Sequence, residues 1–196
     1  MPTKQYAGSF DLNTFVKQVE GQRFPPVDKW EPEFCGNIDM RIAVDGTWFY
    51  MGTPIGREKM VRLFASVLRK DADDQTYLVT PVEKIGITVD DAHFVAVSVE
   101  VADHGDNQSL CFVTNTGDKV IADNEHPIRV EIDAETGEPR PYILVRGRLE
   151  ALISRSVYYE LVEHGDIVEQ NGVSKCSILS NGVTFSLGEW SYENMA

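Results

Sequence analysis

Apolar and polar positions alternate most clearly between Cys35 and Met51. Ile38, Met40, Ile42 and Val44 alternate with Asp39, Arg41 and Ala43, and Thr47-Trp48-Phe49-Tyr50-Met51 follows Asp45-Gly46. A period of two marks strands, and Asp-Gly between two β-favouring runs predicts a hairpin closed by a two-residue turn. The period then changes. Met60, Leu63, Phe64, Val67 and Leu68 form one apolar stripe at helical spacing. Thr53 as N-cap and Pro54 in the first helical position predict where that helix starts. Glu58 and Arg62 are spaced for an i,i+4 pair, and Arg69 and Lys70 suit the negative end of the helix dipole.

The rest of the chain reads in the same way. Leu12, Phe15, Val16 and Val19 predict a short N-terminal helix, capped by Ser9 or Asp11 and ended by Gly21. Phe24-Pro25-Pro26-Val27 is a stiff connector. After the polar turn Asp71 to Asp74, strands are predicted at Tyr77 to Val79, Ile85 to Val89, Val95 to Val101 and Ser109 to Thr114. From Ile128 the order returns. Ile128, Val130 and Ile132 alternate, Tyr142 to Val145 forms a strand, and Leu149, Leu152, Ile153, Val157 and Leu161 form a second helical stripe. Strands then follow at Ile167-Val168, Ser174 to Leu179 and Val183 to Leu187, with Asn181-Gly182 as a tight turn.

The expected fold class is therefore α+β. It has two similar ββαβββ-like halves, antiparallel sheets, one long helix per half and the short N-terminal helix. The expected boundaries are 1–29 for the N-terminal helix and connector, 30–102 for the first repeat, 103–127 for connecting strands and turn, and 128–190 for the second repeat. The halves share little residue identity, so the pattern fits either a duplication or a coincidence of common elements.

Composition narrows the classes. The 196 residues carry a net charge of −13 and are 42% hydrophobic, which supports a packed core. An acidic surface repels phosphate backbones, so no nucleic-acid partner is expected. The longest apolar run, Phe94 to Val101, is far too short to span a bilayer, and no membrane partner is expected. Cys35, Cys111 and Cys176 are widely spaced, no CxxC occurs and no leader pattern is visible, so a cytoplasmic protein is expected.

The most specific chemical candidate follows from the hairpin register. With a two-residue turn, Ile42 faces Phe49, Arg41 faces Tyr50 and Met40 faces Met51. Asp39, Arg41, Trp48 and Tyr50 then share the face opposite the core. Aromatic planes beside a guanidinium suit an anionic or planar ligand. The same residues also fit a structural role, with Arg41 paired to a neighbour and Trp48 packed under another element. Arg57, near the helix start after Gly56, is a second anion candidate, although Thr53-Pro54 is also an ordinary helix opening. Glu83 is a candidate acid or base, or a salt-bridge partner of Lys84 or Arg41.

His93, His104, His126 and His164 lie far apart, and Asp103 to Asp106 reads as a polar turn, so no metal and no cofactor is expected. Cys35-Gly36 sits among apolar residues and reads as an inert thiol. No nucleophile elbow, SxxK pattern or phosphate loop occurs.

One motif set goes further. It starts with Trp30-x-Pro32-x-x-Cys35-Gly36-x-Ile38-Asp39-Met40-Arg41-Ile42, Asp45-Gly46-Thr47-Trp48 and Gly52-Thr53-Pro54-Ile55-Gly56-Arg57. It continues with Tyr77 to Lys84, Thr114-Asn115-x-Gly117-Asp118, His126-Pro127 and Gly137-Glu138-Pro139-Arg140-Pro141-Tyr142. From about Trp30 to Leu187 the chain resembles the uncharacterised proteobacterial family called domain of unknown function 1285. The resemblance implies an α+β protein with a repeated structural motif and a suspected part in signal transduction. It carries no established activity and no catalytic residue.

The expected function is a non-enzymatic small-ligand-binding or regulatory role, with Asp39, Arg41, Trp48, Tyr50, Arg57 and Glu83 as ligand-binding candidates. The partner is then a small molecule or a protein, with the oligomeric state open. The alternatives are a hydrolase-like enzyme using carboxylates such as Asp39 and Glu83, and a protein–protein interaction module docking through a sheet edge or helix.

Overall fold

The computed structural model describes residues 25–103, 105–170 and 172–191. The expected N-terminal helix lies outside these residues. The described chain is α+β and mostly sheet. It divides into two units: the residues through His93 with Gly147–Leu149, and the remainder.

In the first unit, strands β1 (Phe34–Ile42), β2 (Trp48–Tyr50) and β3 (Thr53–Pro54) precede helix α1 (Glu58–Ser66), and β4 (Leu68–Lys70), β5 (Thr76–Val79) and β6 (Lys84–Val89) follow it. They form one sheet in the order β3-β2-β1-β6-β5-β4. Two antiparallel meanders meet at its centre, where β1 and β6 run parallel.

The hairpin forms with a different register from the expected one. Ile42 pairs with Trp48, Arg41 with Phe49 and Met40 with Tyr50. The Gly46 N–H donates to the Ala43 carbonyl at 2.9 Å, as does Ala43 N–H to the Thr47 carbonyl, and Gly46 has φ +81°. This is a three-residue loop, a type I turn followed by a left-handed glycine. Asp45 accepts the Thr47 N–H at 2.9 Å and so holds the turn. The two-residue reversal comes instead at Met51-Gly52, where both φ values are positive (49° and 73°) and Tyr50 pairs with Thr53. Thr53 and Pro54 are thus strand residues. The helix begins after Arg57, which is its N-cap. It ends at Ser66, because Val67 and Leu68 turn into the sheet and are fully buried there. The Glu58–Arg62 pair does form, at 3.6 Å.

In the second unit, β7 (Phe94–Ala102), β8 (Ser109–Thr114), β9 (Lys119–Ile121), β10 (Ile128–Ile132), β11 (Pro139–Arg146) and β12 (Leu149–Ile153) build a sheet in the order β10-β11-β12-β7-β8-β9. Here too a parallel pair, β7 with β12, joins two meanders. Helix α2 (Arg155–His164) leads to a three-stranded sheet of β13 (Asp166–Gln170), β14 (Val173–Ser180) and β15 (Val183–Ser191).

Two sequence expectations are corrected here. Leu149, Leu152 and Ile153 belong to β12 and not to the helix, since Leu149, Ala151 and Ile153 alternate inward with period two. In β7 the inward set is Phe94 and Ala96, then Val99. A register shift between Ala96 and Ser98 re-aims the strand and leaves Val97 exposed. The Asn181-Gly182 turn forms as expected, with φ values of 50° and 78° between the paired Ser180 and Val183.

Each unit contains the same series of three strands, a helix and three strands. In the first, the outermost members of the series, β1 and β6, pair in parallel. In the second, the equivalent strands β10 and β15 lie side by side in separate sheets, and β12 pairs with β7 instead. The repeated halves are therefore real at the level of element order.

Gly165 ends α2 where β14 crosses it. A Cβ there meets Cys176 Sγ and the Ser177 carbonyl oxygen, both at 3.0 Å. Gly165→Ala is expected to destabilise the chain by about 1–3 kcal/mol through overpacking. Urea unfolding followed by circular dichroism checks this.

Candidate functional site

The corrected register separates the expected ligand face. Asp39 and Arg41 lie on one side of the sheet with Phe49, while Trp48 and Tyr50 lie on the other with Met40 and Ile42. Trp48 is 1% exposed and stacks on Phe64 of α1, with ring centroids 6.1 Å apart. Its indole N–H finds no hydrogen-bond partner among the described residues. Arg41 lies 4.7 Å over the Phe49 ring and forms an ion pair with Asp90. Its positive charge is thereby already matched within the fold.

Arg57 is exposed at the start of α1. Glu83 directly precedes Lys84, which pairs with Phe34, whereas Asp39 lies five positions further along the parallel strand. At about 3.3 Å per residue the two carboxylates stand on the order of 15 Å apart along the sheet. They do not form an acid–base pair.

A different place in the first unit is concave. Lys70 on β4 pairs with Thr76 on β5, which pairs with Ile87 on β6. Cross-strand partners point to the same side, so these three make one row. The turn from Asp71 to Gln75 and the segment from Asp91 to His93 rise beside it. Together they enclose a pocket of about 220 Å³ lined by Lys70, Asp74, Gln75, Thr76, Asp91 and His93, with β6 as a wall. None of Asp39, Arg41, Trp48, Tyr50, Arg57 or Glu83 lines it. His93 is 5% exposed, and its Nε2 shares a 3.1 Å hydrogen bond with the Thr76 hydroxyl.

The turn beside the pocket is firmly built. Asp71 accepts from Arg69 Nε at 2.6 Å and from Lys84 Nζ at 3.0 Å. Burial alone would raise the Asp71 pKa, but the bonds from Arg69 and Lys84 prevail and hold it below the usual value of 3.8. Arg69 also donates to the carbonyls of Val27 (2.9 Å) and Trp30 (2.7 Å). It does not serve the helix dipole, because it lies in a strand. Asp73 accepts the Tyr77 hydroxyl at 2.7 Å. Burial and that bond push the Tyr77 phenol up to about 12. Asp74, in the left-handed region at φ +61°, accepts from Arg148 at 2.7 Å and lies 3.7 Å from Lys70 Nζ. The turn thus presents Asp74 already oriented by two cations at the pocket rim.

Sequence reading missed this site because its groups come from three separated segments. His93 has no second histidine at ligand spacing, and the Asp71 to Asp74 run reads as a solvated turn. Among the described residues no three His, Cys, Asp or Glu side chains form a metal-binding group.

Sequence profiles of two domains match the chain over consecutive stretches: the domain of unknown function (DUF1285), N-terminal domain, over residues 25–92, and the protein of unknown function (DUF1285), C-terminal domain, over residues 93–187. The chain belongs to the DUF1285 family. A crystal structure of a DUF1285 family protein from Silicibacter pomeroyi DSS-3 is 47% identical and superposes with a TM-score of 0.85, covering 96% of this chain and 99% of that one. A DUF1285 family protein from Shewanella baltica OS155 is 28% identical, with a TM-score of 0.50 over 65% of this chain and 92% of that one. No curated protein matches. DUF1285 membership accounts for the motif run from Trp30 to Leu187, and the boundary between its two domains falls at the end of the first unit. No helix among the described residues is long and apolar enough to cross a membrane.

Proposed function

We propose that this DUF1285 protein binds a small polar molecule without transforming it, in the pocket lined by Lys70, Asp74, Gln75, Thr76, Asp91 and His93. The observation that carries the reading is the convergence of both charge signs, an amide and a buried imidazole on one concavity. A volume of about 220 Å³ suits a ligand below drug size. Lys70 offers a cationic donor, Asp74 and Asp91 offer acceptors, and the His93–Thr76 bond fixes the wall between them. The ligand therefore carries donors and acceptors together. Absence of a catalytic motif in the sequence favours binding over turnover. A regulatory role in signalling is consistent with such a site, and three free thiols accord with a cytoplasmic setting.

A panel of small amino acids, hydroxy acids and polyols, read by thermal shift, tests the proposal. A ligand at a hundred times its Kd adds about 2.7 kcal/mol, or a Tm rise of roughly 5–10 °C for a chain of this size. Lys70→Ala and Gln75→Ala, each measured against its own baseline, are expected to lose most of that rise. Hits that stabilise both variants as much as the parent place binding elsewhere and overturn the assignment.

A further inference from the structure

The charged groups around the pocket are not engaged alike. Asp74 accepts from Arg148 at 2.7 Å, and Arg148 also donates to the Asp71 carbonyl. Lys70 differs. Its ammonium lies 3.7 Å from Asp74, beyond hydrogen-bond reach, and makes no hydrogen bond among the described residues. The Lys70 side chain is nonetheless only 29% exposed. Three N–H donors are thus held at the pocket with much of their water removed. Gln75 stands in the adjoining turn. Its backbone is fixed by bonds with Asp71 (3.1 Å) and Asp73 (3.0 Å), while its side-chain amide makes no hydrogen bond among the described residues. Asp91 lines the same pocket from the segment after β6, and one of its carboxylate oxygens is buried. A carboxylate has about four acceptor positions, so Asp91 takes a further donor whatever it already holds. β5 lies between the strand that carries Lys70 and the strand that leads to Asp91, which holds the two signs apart.

On the footing that this pocket binds a small polar molecule, we infer that the molecule is a zwitterion: a free amino acid whose carboxylate meets Lys70 and Gln75 and whose ammonium meets Asp91. Charge decides between the classes. Lys70 and Arg148 balance Asp74 and Asp91, so a ligand with no net charge leaves the site neutral. An anion drawn to Lys70 also faces Asp91, and a cation drawn to Asp91 also faces Lys70, so each is repelled at one end. A neutral polyol avoids that repulsion, but it displaces water from both charges and gives neither a counter-charge. A zwitterion gives each desolvated group its opposite.

Isothermal titration calorimetry of the full chain tests this with matched series. Glycine, alanine, β-alanine and γ-aminobutyrate carry both charges. Acetate, propionate and butyrate carry the carboxylate, the corresponding alkylamines carry the ammonium, and diols of the same length carry neither. At least one zwitterion is expected to bind at least about tenfold more tightly than its matched carboxylate, amine and diol. Lys70→Met is expected to bring the zwitterion-to-amine ratio close to one, and Asp91→Asn to do the same for the zwitterion-to-carboxylate ratio. Circular dichroism checks that both variants fold, and the ratios in the parent do not depend on them. A diol that binds as tightly as its zwitterion, and loses binding in Gln75→Ala, overturns the zwitterion and leaves the pocket as the site. Zwitterion binding unchanged in Lys70→Met, Asp91→Asn and Gln75→Ala overturns both the zwitterion and the pocket. A Kd above about 10 mM for every zwitterion overturns the inference as well.

Discussion

Trp48→Ala is expected to destabilise the chain by about 3–5 kcal/mol, the cost of truncating a fully buried aromatic. Arg41→Ala, seven residues away in the same hairpin, is expected to cost less than about 1 kcal/mol. The contrast follows from the register. Trp48 is 1% exposed and stacked on Phe64, so its removal leaves a cavity between β2 and α1. The Arg41 side chain is 42% exposed, and its ion pair with Asp90 is screened by water. Trp48→Phe separates packing from the indole N–H. That N–H has no described partner, so its loss removes an unfavourable buried group, and Phe is expected to recover more than half of the alanine deficit. Urea midpoints from far-ultraviolet circular dichroism check all three variants. Equal losses for Trp48→Ala and Arg41→Ala would mean that the indole lies on the solvent face after all.

The second large effect is expected at Asp71. Asp71→Asn keeps the shape but leaves Arg69 and Lys84 without their shared anion. Arg69 has a side chain only 12% exposed, and the two contacts measure 2.6 and 3.0 Å. A loss of about 2–4 kcal/mol is expected, below that of a fully buried pair because water still reaches the site. The variant should also differ in its pH response. The folded-state pKa of Asp71 is depressed below 3.8. The stability it contributes is therefore fully present above the unfolded value and is lost as pH falls through the folded one. Asp45, Asp73 and Asp123 shift in the same direction and act in the same window. The gap in unfolding midpoint between parent and Asp71→Asn should thus be constant near neutrality and shrink as pH drops below about 3.8. A gap that persists unchanged at pH 2.5 would show that the loss comes from packing and not from charge.

Parts of this protein were legible in order and type but not in register. The strands at Tyr77 to Val79 and Ser109 to Thr114 and the reversal at Asn181-Gly182 lie where alternation and turn chemistry put them. Asp45-Gly46 misled because Asp-Gly serves both a two-residue turn and a three-residue loop with a left-handed glycine. One extra loop residue sent Trp48 and Tyr50 to the core side and paired Arg41 with Phe49. Val67, Leu68, Leu149, Leu152 and Ile153 extended two helical stripes on paper, since short apolar runs satisfy both periods. Burial against neighbouring strands decided in favour of sheet.

The pocket was not legible. Lys70, Asp74, Asp91 and His93 have no spacing that distinguishes them from ordinary turn residues. They meet only because β4, β5 and β6 align their ends.

By itself, then, the chain determined its α+β class, its repeated order of strands and helix, and its family, since local periodicity, turn residues and motif strings are properties of neighbouring positions. Only the tertiary structure decided which side of the sheet each hairpin residue faces and which polar groups converge at His93. Each of those depends on pairing between segments far apart in the chain, where a shift of one residue exchanges the inner and outer faces of a strand.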